Sequence, residues 1–157
     1  MVDRWLLTLL VLGSLGALAL ALFVQYGLGY APCSLCIQAR YPHVAIVVLG
    51  GGALALRWHR LGLTAVSLAL VAAFAISLRH VGVEAGWLAL PEACRVPDVT
   101  GGIDALRQAM LAQVQPGCDV EGPSVFGLSM AGWHVLASLV LALTAALALS
   151  RPLRVRR

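Results

Sequence analysis

Long runs of apolar residues without charge are the dominant pattern along this chain. Residues 5–26 and 61–78 carry no charged side chain, and the only titratable side chain within residues 130–150 is His134. A helix that crosses the hydrocarbon core of a bilayer needs about 20 largely apolar residues. Each of the three runs is therefore predicted to form a membrane-spanning helix.

A fourth apolar run, residues 44–56, is too short to cross a bilayer unless its helix begins earlier, between Cys36 and Arg40. We expect this helix to span about residues 37–56. Glycines occupy positions 50–52 of the run. They favour close packing of this helix against a neighbour, because small residues let helices approach each other in lipid.

These segments predict an all-α membrane protein, a four-transmembrane-helix bundle formed by a single domain over residues 1–157. The two connections that carry cysteines, at about 27–36 and 79–129, would lie together on one side of the membrane. The four helices are predicted at about 5–26, 37–56, 61–78 and 130–150.

The composition supports a membrane protein and excludes an ordinary soluble domain. Apolar residues make up 61% of the chain and charged residues 11%, against about 25% charged in a typical soluble domain. So few polar side chains cannot cover the surface of a water-soluble domain. We also expect no nucleic-acid partner, despite the net charge of +4. A cleaved signal peptide is an alternative for the first run, since Ala17 and Ala19 resemble a cleavage site, but the run continues to Val24 and exceeds a usual signal core.

The distribution of arginine predicts the orientation in the membrane. With four spans, the N-terminus, the turn between the second and third helices, and the C-terminal tail share one side, which the positive-inside rule makes cytoplasmic. Both termini are therefore predicted to be cytoplasmic, and both cysteine-bearing loops extracytoplasmic. The basic residues on the predicted cytoplasmic side are Arg4, Arg57, Arg60, Arg151, Arg154, Arg156 and Arg157.

The long loop contains one amphipathic segment. Ile103, Leu106, Met110 and Val114 recur at helical spacing, with polar residues between them. Such a helix would lie in the membrane interface with its apolar face down, or pack against the short loop. The sequence leaves these two alternatives open.

All four cysteines fall in the two predicted extracytoplasmic loops. Cys33 and Cys36 form a C-x-x-C in the short loop, and Cys94 and Cys118 lie in the long one. An even number of cysteines in an oxidising compartment predicts disulfides, although three pairings are possible. A C-x-x-C removes little loop entropy, and its position before a helix favours a lowered thiol pKa.

Redox exchange is therefore our preferred interpretation of the C-x-x-C. Two structural disulfides are one alternative. A zinc site with four thiolates is another, but Cys94 and Cys118 lack the close spacing of a second ligand pair.

Two sequence motifs resemble those of the bacterial DsbB family, quinone-dependent membrane proteins that generate disulfides. Residues 32–40, PCSLCIQAR, resemble the family signature P-C-x-L-C-x-x-x-R. Residues 126–133, FGLSMAGW, resemble the stretch F-L-G-L-x-M-P-x-W that leads into the last helix of the family. Here Ala131 stands where proline is usual, and the leucine before the glycine is absent. The resemblance extends over the whole chain, including the order of the two cysteine pairs.

This resemblance implies an electron relay in the bacterial inner membrane, with the cysteines on the periplasmic side. A reduced thioredoxin-fold protein similar to DsbA would attack a Cys94–Cys118 disulfide at Cys94. Cys118 would then attack Cys33 and release Cys36, which would pass the electrons to a membrane quinone, either ubiquinone or menaquinone. All four cysteines are thus candidate catalytic residues.

The resemblance also implies a quinone site beside Cys36, in which Arg40 matches the arginine of the family. A permanent cation there would stabilise a thiolate and the negative charge developing on quinone oxygens, whereas the alternative is an interfacial anchor. His43 and His80, near outer helix ends, could supply protons to the quinone or merely form interfacial hydrogen bonds. His134 is expected to pack or hydrogen-bond between helices.

Two other functions are compatible with parts of this pattern. Proteins similar to vitamin K epoxide reductase also combine four helices, loop cysteines and quinones, but their loop pair precedes the C-x-x-C, whereas here the C-x-x-C comes first. A disulfide-braced membrane scaffold without turnover would have inert cysteines.

Overall fold

The computed structural model describes residues 2–94, 102–104, 107, 116–119 and 122–150, and it is built mainly from helices. Within these ranges, the α-helices numbered here α1 to α5 are Val2–Leu22, Ser34–Gln38, Arg40–Ala55, His59–Glu84 and Met130–Leu149. A π-helical turn, Phe23–Gly27, extends α1, and a 3₁₀ turn, Glu92–Cys94, follows α4. The described residues also form two short strands, β1 (Ser124–Val125) and β2 (Leu128–Ser129).

The three uncharged runs form three long apolar helices. Within the described ranges, three segments are long and apolar enough to cross a membrane: Asp3–Gly27, His59–Glu84 and Met130–Leu149. The middle helix extends beyond the predicted 61–78 at both ends. The six residues added at its C-terminal end include His80 and Glu84, so the helix continues past the apolar run and carries polar residues at its end.

The segment predicted as one helix over residues 37–56 is divided into α2 and α3. α3 has 16 residues, which correspond to about 24 Å at 1.5 Å per residue, less than the bilayer core of about 30 Å. Ala39, between the two helices, keeps helical dihedral angles, and its N–H bonds to the carbonyl of Leu35. α2 and α3 therefore follow each other with only a one-residue break.

The core of the bundle lies where α1, α3 and α4 meet. Leu7, Ile46, Leu63 and Leu70 are fully buried there, and Ala145 of α5 closes the same cluster. α3 can approach its neighbours closely because glycines, which have no side chain, lie at the contacts. A Cβ on Gly50 would collide with the side chain of Val11, and a Cβ on Gly62 with Ala53.

The prediction of close packing is thus confirmed for Gly50. Gly51 and Gly52 differ, since a Cβ at either position would meet nothing within 4 Å. Only the first of the three glycines lies in the helix contact.

At one end of the bundle, Arg60 links α4 to both α1 and α5. Arg60, at the start of α4, pairs with Asp3 of α1 at 3.5 Å, and its Nη1 donates a hydrogen bond to the carbonyl of Leu149 in α5. Arg60 therefore lies beside the first turn of α1. This agrees with the prediction that the N-terminus and the turn before α4 share one side of the membrane. The arginines of the tail, residues 151–157, and most of the amphipathic segment 103–114 lie outside the described residues.

The chain enters α5 through a tight hairpin in which β1 pairs antiparallel with β2. Phe126 and Gly127 form the turn with positive φ angles of 53° and 77°, the combination required by a two-residue type I′ turn. Ser129 then caps α5 by accepting a hydrogen bond from the backbone N–H of Gly132 at 3.1 Å. The helix therefore begins from a serine cap, and Ala131 is buried in its first turn.

We expect Gly50→Val to lower the free energy of unfolding by about 1–3 kcal/mol, because the new side chain is forced into a filled contact. Gly52→Val is the matched control, since it makes the same chemical change in the same helix toward open space. Thermal unfolding in detergent, followed by circular dichroism, measures both. Equal midpoints for the two variants would contradict the packing assigned to Gly50.

Candidate active site

Both cysteine pairs meet at the end of the bundle opposite the Asp3–Arg60 pair. Cys33, Cys94 and Cys118 form one buried cluster with Leu35 of α2 and Val83 of α4. Cys33 lies more than 60 positions before Cys94 and Cys118 along the chain, and the last turns of α4 bring the three together. The structure therefore places the two sulfur couples in a single site.

Cys94 and Cys118 are joined by a disulfide, with a Cα–Cα distance of 5.3 Å. Of the three pairings that the sequence allowed, this is the one in the structure. The exposed fractions of the two residues are 3% and 0%. Both sulfurs are therefore shielded from solvent in this structure.

Cys33 and Cys36 are free thiols whose sulfur atoms lie 2.9 Å apart. Cys33 is the N-cap of α2, and its Sγ accepts a hydrogen bond from the backbone N–H of Cys36 at 3.3 Å. Because the C-x-x-C spacing coincides with the first turn of the helix, the cap brings the second thiol next to the first.

The two thiols differ in acidity. The hydrogen bond donated by the Cys36 thiol, with a smaller effect of His80, lowers the pKa of Cys33 from 9.0 to about 4 although burial opposes this. The same hydrogen bond and burial raise the pKa of Cys36. The lowered thiol pKa expected for the C-x-x-C is thus found on Cys33, while Cys36 retains its proton.

His80 contacts Cys33, and the carboxylate of Glu84 lies next to His80. His80 Nε2 lies 3.5 Å from Cys33 Sγ and 3.7 Å from Glu84 Oε1, and both side chains of this i,i+4 pair are 8% exposed. The hydroxyl of Ser129 donates a hydrogen bond of 2.7 Å to Glu84 Oε2. A chain of polar contacts thus runs from Cys33 to the cap of α5.

Sequence reasoning proposed His80 for a quinone site but gave Glu84 and Ser129 no role. The spacing of four residues between His80 and Glu84 on a helix was the available signal. Ser129 had no such signal, because its contact with Glu84 joins residues 45 positions apart.

Arg40 and His43 lie in the first turn of α3, three residues apart, which places them on one side of the helix. Arg40 Nη1 donates a hydrogen bond to Gln25 Oε1 at 2.7 Å. His43 Nε2 lies 2.8 Å from His134 Nε2, so the interhelical hydrogen bond expected for His134 is confirmed.

Two buried polar atoms of this turn have no partner among the described residues: Arg40 Nε and His43 Nδ1. Buried polar groups are usually hydrogen-bonded. Two unsatisfied nitrogen atoms on one helical turn therefore indicate a place where a ligand with polar oxygen atoms can bind.

A metal ion is the other ligand to consider, because the ligand atoms of Cys33, Cys36 and His80 all lie within 4.8 Å of one another. Two sulfurs on a tetrahedral zinc ion with bonds of 2.3 Å are separated by about 3.8 Å, however, and here they are 2.9 Å apart. In addition, Cys94 and Cys118 are bonded to each other and cannot act as thiolate ligands. This arrangement suits a hydrogen-bonded thiol and thiolate better than a metal centre.

Comparison with known proteins identifies relatives along nearly the whole chain. Residues 3–148 match the family model described as Disulfide bond formation protein DsbB. The chain is 31% identical to Disulfide bond formation protein B of Cupriavidus necator, over 95% of this chain and 94% of the relative. It is 30% identical to the protein of that name from Burkholderia pseudomallei, over 95% and 90%. It is also 35% identical to Disulfide bond formation protein B 1 of Pseudomonas savastanoi, over 88% and 84%. No solved structure matches significantly.

We expect the reduced C-x-x-C to react with iodoacetamide at Cys33 and not at Cys36 at pH 6. A pKa lowered to about 4 keeps the Cys33 thiolate present down to that pH, and the thiolate is lost only as the pH falls through 4. Mass spectrometry of the labelled peptide over a range of pH gives the midpoint. Cys36→Ala should raise this midpoint most and His80→Ala less. A wild-type midpoint near 9 would contradict the assignment.

Proposed function

This chain belongs to the DsbB family of disulfide bond formation proteins, and on that basis we propose that it passes electrons from a periplasmic DsbA-like dithiol protein to a membrane quinone. Family membership makes it a membrane-bound disulfide oxidoreductase. The direction and end points of the electron flow are our proposal. The observation that carries it is the packing of the Cys94–Cys118 disulfide against the Cys33–Cys36 thiol pair.

We further propose that four segments cross the bacterial inner membrane, with both termini in the cytoplasm. The second crossing would run over about residues 37–56, formed by the end of α2 and by α3. Ile46 of α3 is fully buried in the same cluster as residues of α1 and α4, which supports its place beside two apolar helices. The cysteines lie at the end remote from Arg60, and this supports a periplasmic position by the positive-inside rule.

The proposed relay is a series of thiol–disulfide exchanges. A partner thiolate forms a bond to Cys94 Sγ, the Cys94–Cys118 bond breaks, and its electron pair goes to Cys118 Sγ. The Cys118 thiolate then attacks Cys33 of an oxidised C-x-x-C, and Cys36 leaves with the electron pair of that bond.

Two further exchanges complete the transfer. The second partner thiolate attacks the partner's sulfur in the mixed disulfide and releases Cys94. Cys94 then closes on Cys118 and frees Cys33. The partner leaves with a disulfide, and two electrons remain on the C-x-x-C. A closed loop disulfide beside free Cys33 and Cys36 is the expected state after these steps, and the sulfur pairing in the structure supports it.

His80 and Glu84 would stabilise the negative charge of the Cys33 thiolate after the exchange. His80 Nε2, at 3.5 Å from Cys33 Sγ, can hold the proton that this thiol gives up. Glu84 stabilises the imidazolium and fixes the ring. Because both groups are buried, their attraction is screened less than at a surface.

Arg40, His43 and Cys36 are the residues that would hold the quinone. Their chemistry fits, because Arg40 Nε, a buried donor, and His43 Nδ1, a buried imidazole nitrogen, have no hydrogen-bond partner within the part of the chain that the structure describes. A bound quinone supplies an acceptor of two electrons and two protons. Arg40 would donate a hydrogen bond to an oxygen atom, and His43 would hold a proton at Nδ1. Ubiquinone and menaquinone both present two carbonyl oxygens, so these residues suit either.

Mixing the purified protein with a reduced thioredoxin-fold dithiol protein and a short-chain quinone tests the proposal. We expect the quinone absorbance to fall with turnover, and Cys36→Ser to abolish the fall while the protein remains folded by circular dichroism. The variant retains the loop disulfide but lacks the sulfur that must release the electrons. A folded and oxidised wild-type protein that reduces no quinone would instead favour the braced scaffold.

Arg40→Ala is expected to lower kcat/KM for the quinone about tenfold, as loss of one hydrogen bond from a charged group requires. Arg57→Ala is the matched control, since it removes an exposed arginine from the turn at the other end of α3. Steady-state assays at several quinone concentrations measure both. If the two variants behave alike, Arg40 is only an anchor.

A further inference from the structure

Ser34, the residue after Cys33, contacts the loop disulfide directly. Its Oγ lies 3.0 Å from Cys94 Sγ and 3.5 Å from Cys118 Sγ. Ser34 is separated from these two cysteines by 60 and 84 positions in the sequence. The relay described above gives this hydroxyl no role, although it is within hydrogen-bond distance of two atoms that react.

We propose that Ser34 is a catalytic residue of the exchange, whose hydroxyl donates a hydrogen bond to the sulfur released when the Cys94–Cys118 disulfide opens. This inference rests on the proposed function for its biological setting. The chemistry itself requires only a thiolate that attacks the disulfide.

The step conserves atoms and electrons. An attacking thiolate forms a bond to one sulfur, the Cys94–Cys118 bond breaks, and its electron pair goes to the other sulfur as negative charge. A disulfide sulfur is a weak acceptor, whereas hydrogen bonds to ionised groups are about twice as strong as neutral ones. The Ser34 hydroxyl therefore strengthens its interaction as charge develops, which is the condition for accelerating the step.

Burial makes a donor necessary at this place. Cys118 is fully buried and Cys94 nearly so, and an unpaired charge taken from water into an apolar site is costly. Among the described residues, Ser34 is the side chain that hydrogen-bonds to these two sulfurs. His80 contacts Cys33 instead.

The position of Ser34 also directs the next exchange. Ser34 is the first residue of α2, held by the hydrogen bond from the Ile37 N–H to the carbonyl of Cys33 at 3.1 Å. A Cys118 thiolate that is hydrogen-bonded to the Ser34 hydroxyl is thus kept beside Cys33, whose sulfur it has to attack. One side chain would both stabilise the released thiolate and present it to its target.

The test measures reduction of the loop disulfide by dithiothreitol in the full-length protein in detergent. Cys33→Ala and Cys36→Ala are introduced together, so that only the loop pair reacts. In this background we expect Ser34→Ala to slow reduction about tenfold and to shift the thiol–disulfide equilibrium about tenfold toward the disulfide, equivalent to about 30 mV. Alkylation of the released thiols followed by mass spectrometry gives both the rate and the equilibrium.

Ser34→Thr retains a hydroxyl and should restore most of the rate, and Ser34→Gly should behave as Ser34→Ala does. Ser124→Ala, which removes an exposed hydroxyl from β1, should have no effect. An unchanged rate in Ser34→Ala would overturn the proposal. Equal slowing by Ser34→Ala and Ser34→Thr would also overturn it, since packing and not the hydroxyl would then matter.

The result is separable from the proposed function, because dithiothreitol replaces the partner and no quinone is present. Slower reduction in Ser34→Ala supports the role of Ser34 even if the wild-type protein reduces no quinone. Conversely, quinone reduction by the wild-type protein leaves the relay intact if the Ser34→Ala rate is unchanged.

Discussion

The site depends on one packing contact, in which the loop disulfide is buried against α2 and the end of α4. Cys94 and Cys118 share an apolar cluster with Cys33, Leu35 and Val83. Thiol exchange requires sulfur atoms to meet in line, so two couples on separate loops must be held together. Here apolar burial provides the contact. The long helix α4 supplies a rigid base, since Val83, His80 and Glu84 all lie in its last two turns.

Burial then determines how charge is distributed in the site. A thiolate in an apolar cluster is costly unless it is hydrogen-bonded or paired. Cys33 has the Cys36 thiol and backbone N–H on one side and His80 on the other. Glu84 balances His80, and Ser129 bonds to Glu84 while capping α5. The start of the last helix is thus joined to the reactive cysteine through side chains alone.

Sequence reasoning predicted what composition and spacing encode, and it missed what tertiary contact creates. The runs 5–26, 61–78 and 130–150 correspond to helices because charge-free segments of this length leave few alternatives. The C-x-x-C was recognised because its spacing has chemical meaning by itself. Ser34 and Ser129 were not, since short polar residues in loops are common and their partners lie 60 and 45 positions away. The one-residue break at Ala39 has no signal in the pattern of apolar residues.

The burial of the loop disulfide also bears on selectivity. Because Cys94 and Cys118 are almost inaccessible, an external thiolate has to displace part of the apolar packing around the disulfide, such as the contact with Val83. On the proposed relay the contact with Ser34 is retained. A partner protein that binds beside the disulfide can offset this cost through its own contacts, whereas a small thiol such as dithiothreitol cannot and reacts more slowly. The same packing that brings the two cysteine pairs together therefore protects the disulfide from thiols that do not bind. On the proposed relay, selectivity for a protein partner and rapid internal transfer both follow from this cluster.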